Sequence, residues 1–161
     1  MASTRASSLL FACLAALPLL APAPAQARAW QGLEPGKTTA DEVVAKLGEP
    51  TTRVKRGSRS VLDYKGEGAP SGAKEAQFHC RGDGVVEEIT VFLANPLDAE
   101  SIEGEFGKPE KKTFTDTFQK VWQYPRKGVT VYFDKEGAVE AISYAAAAPA
   151  PKAGPADAKA P

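Results

Sequence analysis

The sequence contains few of the side chains on which metal binding and nucleophilic catalysis depend. It has one histidine, His79, and two cysteines, Cys13 and Cys80, in 161 residues. A structural zinc site needs about four such ligands. The chain also lacks a serine-centred nucleophile elbow, a phosphate-binding loop and a dinucleotide fingerprint. We therefore expect no metal site, no cofactor and no enzymatic activity.

The pair His79-Cys80 is the one place where a nucleophile adjoins a base. Adjacent residues of a strand point to opposite faces, so the thiol and the imidazole cannot easily meet for catalysis. Cys80 is predicted to be a small core residue. A hydrolase that uses Cys80 or the acidic residues is the least favoured hypothesis, and inactivity of a Cys80→Ser variant would be needed to revive it.

An excess of one charge sign is also missing. The chain has 20 basic and 20 acidic residues, and removal of Arg5 and Arg28 with a leader would leave 18 basic residues. A protein that binds nucleic acid through its phosphates carries a clear basic excess. The balance therefore predicts no nucleic-acid partner.

The chain has one long apolar run, Leu9–Leu20, which follows Arg5 and precedes two small-residue cleavage patterns, 25–27 and 27–29. These features are typical of a secretory signal peptide, which we predict over residues 1–29. The run is too short, and too interrupted by proline, to be a membrane span. The sequence therefore predicts an exported protein, either periplasmic or secreted.

Residues 10–13, Leu-Phe-Ala-Cys, loosely resemble a bacterial lipobox, in which the cysteine is acylated. An outer-membrane lipoprotein is thus the less favoured alternative, and membrane association is expected only if Cys13 is lipidated. If the leader is removed instead, Cys80 is the remaining thiol and no internal disulfide can form. At the other end, residues 145–161 are rich in alanine and proline and are predicted to be a disordered tail.

A helix motif that occurs twice, at 39–50 and 98–109, organises the region between leader and tail. Thr39 and Asp98 are predicted N-caps, and Glu42 completes a capping box with Thr39. Apolar residues follow at helical spacing. A glycine, Gly48 or Gly107, is predicted to end each helix in the left-handed conformation, and a proline two residues later prevents its continuation.

Each helix motif is followed by two hairpin signals, which are β-rich runs separated by short polar turns. The pattern predicts an α+β fold of two tandem helix-plus-antiparallel-sheet repeats, with the helices packed on one face of the sheet or sheets. We place repeat 1 at residues 30–94 and repeat 2 at 95–144, in each case with the order helix, hairpin, hairpin. The extra residues of repeat 1 are assigned to the loop 65–74.

The motif of Gly36–Val43 together with Leu47–Pro50 resembles the SmpA/OmlA (BamE-like) domain of outer-membrane assembly lipoproteins. Two such units in tandem also resemble the architecture of β-lactamase-inhibitor-protein-like (BLIP-like) proteins, in which helix-plus-sheet repeats present a sheet to a protein partner. The resemblance covers residues 32–144. It implies a non-catalytic protein of the bacterial envelope that binds another envelope or exported protein.

The two hairpins that follow the helices differ in character, and they hold the candidate binding residues. The first is basic, with Arg53, Lys55, Arg56 and Arg59. These cations could bind an acidic protein surface or anionic lipid headgroups, and they could equally be a solvated turn that protects a sheet edge.

The second hairpin is aromatic. Phe114 and Phe118 flank a polar turn and are candidate anchors for a partner, whereas Trp122 and Tyr124 are most simply explained as core residues under the helix. The leading hypothesis is therefore a non-catalytic exported protein-binding module, an accessory of envelope assembly or an inhibitor of an exported enzyme. It would bind through the open sheet face and the hairpin tips. The alternative is a periplasmic protein that binds a small ligand or lipid.

Overall fold

The structure is a computed structural model, and it describes residues 27–147. Most of the predicted signal peptide, including Cys13, and most of the predicted tail lie outside the described residues. Two residues at the ends of the described part belong to the domain, although they fall within the predicted leader and tail. The Arg28 guanidinium pairs with Glu105, and Ala145 is the last residue of the final strand.

The described part contains two α-helices and eight β-strands. In chain order they are α1 (Ala40–Leu47), β1 (Thr52–Arg56), β2 (Arg59–Lys65), β3 (Ala73–Cys80), β4 (Val86–Leu97), α2 (Ala99–Phe106), β5 (Lys111–Phe114), β6 (Lys120–Tyr124), β7 (Val129–Phe133) and β8 (Val139–Ala145). Single 3-10 turns follow β2 and β6, at Gly66–Gly68 and Pro125–Lys127. No helix among residues 27–147 is long and apolar enough to cross a membrane.

Both helices begin where their caps predict. The Glu42 N–H donates to Thr39 Oγ1 at 3.3 Å, and Glu42 Oε2 accepts from the Thr39 N–H at 2.8 Å, so the capping box is complete. In α2 the Ser101 N–H donates to Asp98 Oδ1 at 2.7 Å. These bonds satisfy amides of the first turn that have no partner within the helix. The prediction of both helix starts is confirmed.

The ends of the helices differ from the prediction in one respect. Gly48 and Gly107 have positive φ, 85° and 79°, but their ψ values of −171° and −170° lie outside the left-handed helical region. That combination is accessible essentially to glycine alone. A buried tyrosine stabilises each end: Tyr64 Oη donates to the Gly48 carbonyl at 2.9 Å, and Tyr124 Oη to the Gly107 carbonyl at 3.0 Å.

The predicted fold class, two tandem helix-plus-antiparallel-sheet repeats, is wrong. The eight strands form one antiparallel sheet in the order β1-β2-β3-β4-β8-β7-β6-β5, with two short helices. The strand β4 pairs with β3 on one side and with β8 on the other, in a register that includes Val91 opposite Ile142. β4 and β8 pair along edges that would otherwise be free. Strands β1–β4 and β5–β8 therefore form one continuous sheet rather than two repeats.

One face of this sheet carries the core. A row of side chains runs across six strands on that face: Leu62, Phe78, Ile89, Tyr144, Val129 and Tyr124. The helices cover it with Val43 from α1 and with Ile102 and Phe106 from α2, and all of these residues belong to one buried cluster. The Phe106 and Tyr124 rings lie 5.6 Å apart. Burial of this apolar face is the main stabilising contribution to the fold.

The other face has no helix on it, and its side chains are largely polar. Across the same strands the register places Asp63, Gln77, Thr90, Ser143, Thr130 and Gln123 in one row. Ser143 is buried, and its hydroxyl donates to Glu88 while it accepts from Thr90 Oγ1 at 3.4 Å. The alternation of apolar and polar residues is the one expected for a sheet with one covered and one solvated face.

Candidate functional site

Six hairpins join consecutive strands of the sheet, and three of them close with the same hydrogen-bonded turn. The N–H of the first turn residue bonds to the carbonyl four residues on, and the N–H of the fourth residue bonds back to the first carbonyl. This is the pattern of a type I turn followed by one residue with positive φ. The turns span residues 81–85, 115–119 and 134–138.

The three turns differ in the residue that occupies the positive-φ position. Gly84 and Gly137 occupy it in two of the turns, with φ of 82° and 89°. In the turn between β5 and β6 the position is held by Phe118, with φ of 60°. A residue with a Cβ atom is strained in this conformation, whereas glycine is not. The fold therefore tolerates an aromatic residue where two equivalent turns use glycine.

Phe118 gains no burial in exchange for this strain. Its side chain is 87% exposed, and that of Phe114, at the end of β5, is 65% exposed. They are the two most exposed large apolar residues between 27 and 147, followed by Val54 and Leu97 at 40% each. Backbone strain without compensating packing is typical of sites that are kept for function.

The turn that carries Phe118 is nevertheless well ordered by hydrogen bonds. The Phe118 N–H donates to the Thr115 carbonyl at 2.9 Å, and the Thr115 N–H donates to the Gln119 carbonyl at the same distance. Thr115 Oγ1 accepts from the Gln119 N–H at 3.1 Å and lies 2.9 Å from Thr117 Oγ1. The aromatic side chain thus projects from a fixed turn.

An open cleft of about 880 Å³ lies between this turn and the turn that joins β7 to β8. Three phenylalanines line it, Phe114, Phe118 and the buried Phe133, together with charges of both signs from Lys120, Asp134, Lys135, Glu136 and Glu140. Gln119 Nε2 donates to Glu140 Oε2 at 3.3 Å across its floor. The cleft adjoins a second one of about 350 Å³ on the open sheet face, since Gln119 and Glu140 line both.

The base of the aromatic hairpin is part of the core, as predicted for Trp122 and Tyr124, which are both buried. Two ammonium groups lie over the Trp122 ring, Lys112 Nζ at 4.4 Å and Lys120 Nζ at 5.0 Å from its centroid. Such cation–π contacts fix the lysine side chains beside the ring. The hairpin is therefore anchored at its base, and its two exposed phenylalanines are at its tip.

The basic hairpin lies at the other end of the sheet. All residues of β1 are exposed, and Arg53, Lys55 and Arg56 form no salt bridge within residues 27–147. Arg59 Nε approaches Glu87 Oε1 at 3.7 Å. The structure therefore does not bring the basic and the aromatic candidate residues into one site, because seven strand-to-strand steps separate β1 from β5.

The structure places His79 and Cys80 on opposite faces of β3. Cys80 is 1% exposed, its Sγ lies 3.7 Å from the Phe78 carbonyl, and burial raises the pKa of its thiol. His79 lines a cleft of about 480 Å³ on the open face beside β1 and β2. The prediction that Cys80 is a core residue is confirmed. In the part of the chain from 27 to 147, no three residues among His, Cys, Asp and Glu are grouped as metal ligands.

Sequence reasoning identified Phe114 and Phe118 as exposed candidates but missed the strained backbone of Phe118. A signal for it existed. The turns at 82–84 and 135–137 contain glycine, whereas the turn around Thr115–Thr117 contains none. A tight hairpin without glycine or asparagine must place another residue at positive φ.

No family model matches the chain, and no curated protein matches it either. Among solved structures, the chain is similar to a DUF4309 family protein (YjgB) from Bacillus subtilis, with 16% identity and a TM-score of 0.54 over 72% of this chain and 83% of that one. It is also similar to an extracellular protein containing an SCP domain from Bacillus anthracis, with 14% identity and a TM-score of 0.49. That match covers 72% of this chain and 45% of the other.

At these identities the first likeness concerns the fold alone. The resemblance to SmpA/OmlA and β-lactamase-inhibitor-protein-like proteins stays a prediction, as do the envelope localisation and the partner that it implies.

Proposed function

We propose that this protein is a non-catalytic protein-binding module that acts outside the cytoplasm and inserts the aromatic tip of the β5–β6 hairpin into its partner. The tip consists of Phe114 and Phe118 with the turn between them. Another envelope or exported protein is the proposed partner. No cofactor and no nucleic acid are required for this activity.

The observation that carries the proposal is the combination of exposure and strain at Phe118. An exposed phenylalanine is unfavourable in water, and the positive φ adds a backbone cost that glycine would remove. Both costs are offset when a partner covers the ring. Large aromatic side chains that enter a partner's pocket account for much of the binding free energy in known interfaces.

The cleft beside the tip indicates how a partner would fit. A partner pocket that receives Phe118 brings its rim over the cleft, where Lys120, Lys135, Asp134 and Glu136 provide charges of both signs. An apolar centre surrounded by a polar rim is the usual anatomy of a protein interface. An accessory of envelope assembly and an inhibitor of an exported enzyme would both use such a surface, and the identity of the partner separates these two roles.

The test is quantitative affinity capture from the envelope and secreted fractions of the host, with mass spectrometry as the readout. The purified protein is compared with the Phe114→Ala/Phe118→Ala variant and with Val54→Ala as the matched control. Val54 is also an exposed apolar residue, but it lies on β1. We expect a stoichiometric partner with the wild type and with Val54→Ala, and its loss with the double variant.

Capture of the same proteins by all three baits, or of no protein under cross-linking, contradicts the proposal. Circular dichroism of the double variant serves as the folding control. Both phenylalanines are mostly exposed, so the variant is expected to keep the wild-type spectrum.

A small ligand or lipid remains the second candidate, and the same cleft favours it. Its volume of about 880 Å³ falls within the range of small-molecule sites, and Phe114, Phe118 and Phe133 supply apolar walls. Native mass spectrometry of the purified protein tests this alternative. A co-purified ligand that disappears in the double variant supports it, and a spectrum of protein alone together with a captured partner protein supports the binding module.

A further inference from the structure

The strand β1 is the outer strand of the sheet at the end remote from the aromatic tip. It pairs with β2 on one side, and on its other side it has no strand within the described residues 27–147. All five of its residues, Thr52–Arg56, are exposed. An edge strand of this kind offers a row of backbone donors and acceptors to another strand.

The turn between β1 and β2 determines which N–H and C=O groups of β1 face away from β2 and are available to another strand. It consists of two residues, Gly57 and Ser58, so Arg56 and Arg59 flank it and form the first pair of the ladder. In a two-residue hairpin the flanking pair exchanges its hydrogen bonds, and successive pairs alternate. The N–H and C=O groups of Val54 and Arg56 therefore face β2, and those of Arg53 and Lys55 face outward.

The side chains along this edge are cationic on both faces of the sheet. Arg53 and Lys55 lie on the face that carries the helices, since Arg53 pairs with the buried Leu62. Val54 and Arg56 lie on the open face. Within residues 27–147 none of the three cations has a carboxylate partner in a salt bridge. Among residues 27–147, the edge thus combines backbone groups that pair with no other strand and three cations that form no salt bridge.

A second copy of this chain is a poor occupant of the edge. The outer strand at the opposite end, β5, begins with Lys111 and Lys112 and is also cationic. Pairing β1 with β5 of another copy, or with another β1, would place like charges side by side. Like charges directly opposite each other destabilise strand pairing. The charges therefore select an acidic strand from a different protein.

We propose that β1 binds an extended acidic segment of a partner protein, which adds to the sheet as a ninth strand. The segment bonds to the outward backbone groups of Arg53 and Lys55. Its carboxylates, spaced two residues apart, lie opposite the side chains of the same two residues, because alternate residues of a strand share a face. This surface is separate from the aromatic tip and recognises a different chemistry.

The probe is a fluorescein-labelled peptide of ten residues in which glutamate and valine alternate, and the readout is fluorescence anisotropy with the full protein at low salt. A control peptide carries N-methylglutamate in place of the two central glutamates, which keeps the charge and removes the two backbone donors that face β1. We expect saturable binding of the first peptide and at least tenfold weaker binding of the second.

Variants of the protein separate charge from strand addition. Lys55→Gln removes one charge and is expected to weaken binding about two- to fivefold, the range of a single cross-strand charge pair. Lys55→Pro also removes the outward N–H while leaving the ladder to β2 intact, and it is expected to weaken binding at least tenfold. Proline is tolerated on an edge strand at such a position. Lys108→Gln changes an exposed lysine between α2 and β5. It is the matched control and should bind like the wild type.

A second measurement does not depend on the folding of any variant. Hydrogen exchange of the wild-type protein with saturating peptide should slow at the amides of Arg53 and Lys55, and exchange at Val54 and Arg56 should change little. Absence of binding overturns the proposal, as does equal binding of the two peptides or of Lys55→Gln and Lys55→Pro. Binding to anionic lipid vesicles without protection of the Arg53 and Lys55 amides also overturns it, and would assign the charges to a membrane surface instead.

Discussion

Replacement of Phe118 by glycine should give a more stable protein than replacement by alanine, which reverses the usual order of these residues. At an ordinary position glycine is less stable than alanine by about 0.5–1 kcal/mol, because it loses more backbone entropy on folding. At φ of 60° alanine carries a steric cost of roughly 1–2 kcal/mol that glycine avoids. The net difference favours glycine at position 118 by about 0.5–1 kcal/mol.

Two neighbouring positions provide the controls. Gly137 occupies the equivalent place in the β7–β8 turn, and a Cβ there would meet no atom within 4 Å. Gly137→Ala therefore reports the backbone cost alone and should lower stability by a similar amount. Phe114 lies in β5 without a positive φ. At this position alanine should be more stable than glycine by about 0.5–1 kcal/mol.

The assay is urea unfolding at 25 °C followed by tryptophan fluorescence, with Trp122 as the buried reporter. The free energy of unfolding is compared at a common m-value, since small differences are better measured from midpoints than from extrapolation. If alanine is the more stable residue at position 118 by the margin found at 114, Phe118 does not hold a strained backbone. The backbone of the aromatic tip would then be unstrained, and only the exposure of Phe114 and Phe118 would mark it as a binding site.

Two further predictions concern the ends of the helices. Tyr64→Phe and Tyr124→Phe each remove a hydrogen bond to a glycine carbonyl and should each lower the free energy of unfolding by about 1 kcal/mol. The double variant should show additive losses in chemical denaturation, because five strand spacings of ~4.8 Å separate the two strands. The backbone hydrogen bond with Thr39 lowers the pKa of the Glu42 carboxyl. The ionised Glu42 carboxylate therefore stabilises the fold fully at pH values above the ordinary glutamate pKa, and this stabilisation is lost as the pH falls through the lowered pKa. The free energy of unfolding measured across this acidic range should show that loss in the wild type and not in Glu42→Gln. Thr39→Ala should lower the free energy of unfolding by about 1 kcal/mol at neutral pH, because it removes the N-cap.

Much of the local structure follows from the sequence because the information for it is local. The caps at Thr39 and Asp98 and the glycines that end the helices lie within a few residues of the elements they bound. The burial of Trp122 and Tyr124 follows from their alternation along one strand. Each of these predictions needs only the spacing of neighbouring residues. The structure confirms the caps, the positions of the glycines and the burial, but not the left-handed conformation predicted for the two glycines.

The arrangement of the sheet could not be predicted in this way, since strand pairing over long range depends on which free edges remain. β4 is twelve residues long, and nothing in its composition indicates that its second edge pairs with β8. Once Ile89 lies opposite Tyr144, the helices share one core and the two-repeat description fails. The sequence predicts the elements, whereas the β4–β8 pairing determines the fold.

The candidate site shows the same division. The exposure of Phe114 and Phe118 was expected from their position beside a polar turn, but the positive φ of Phe118 follows from the register of β5 with β6, in which Phe114 pairs with Lys120. That register leaves five residues for the turn and places Phe118 fourth. The basic residues were expected at a hairpin, and their position at the outer edge of the sheet depends on the order of all eight strands.

The sheet order also separates the two proposed surfaces, and the separation has a functional consequence. Seven strand spacings of ~4.8 Å place β1 and β5 roughly 34 Å apart along the sheet. A partner bound at Phe118 therefore does not touch Arg53 or Lys55 unless it also covers the open polar face between them. Two partners can thus be bound at once, and the affinity of the acidic peptide should be the same for the wild type and for Phe114→Ala/Phe118→Ala. A loss of peptide binding in that variant would mean that the two ends act as one interface across the open face.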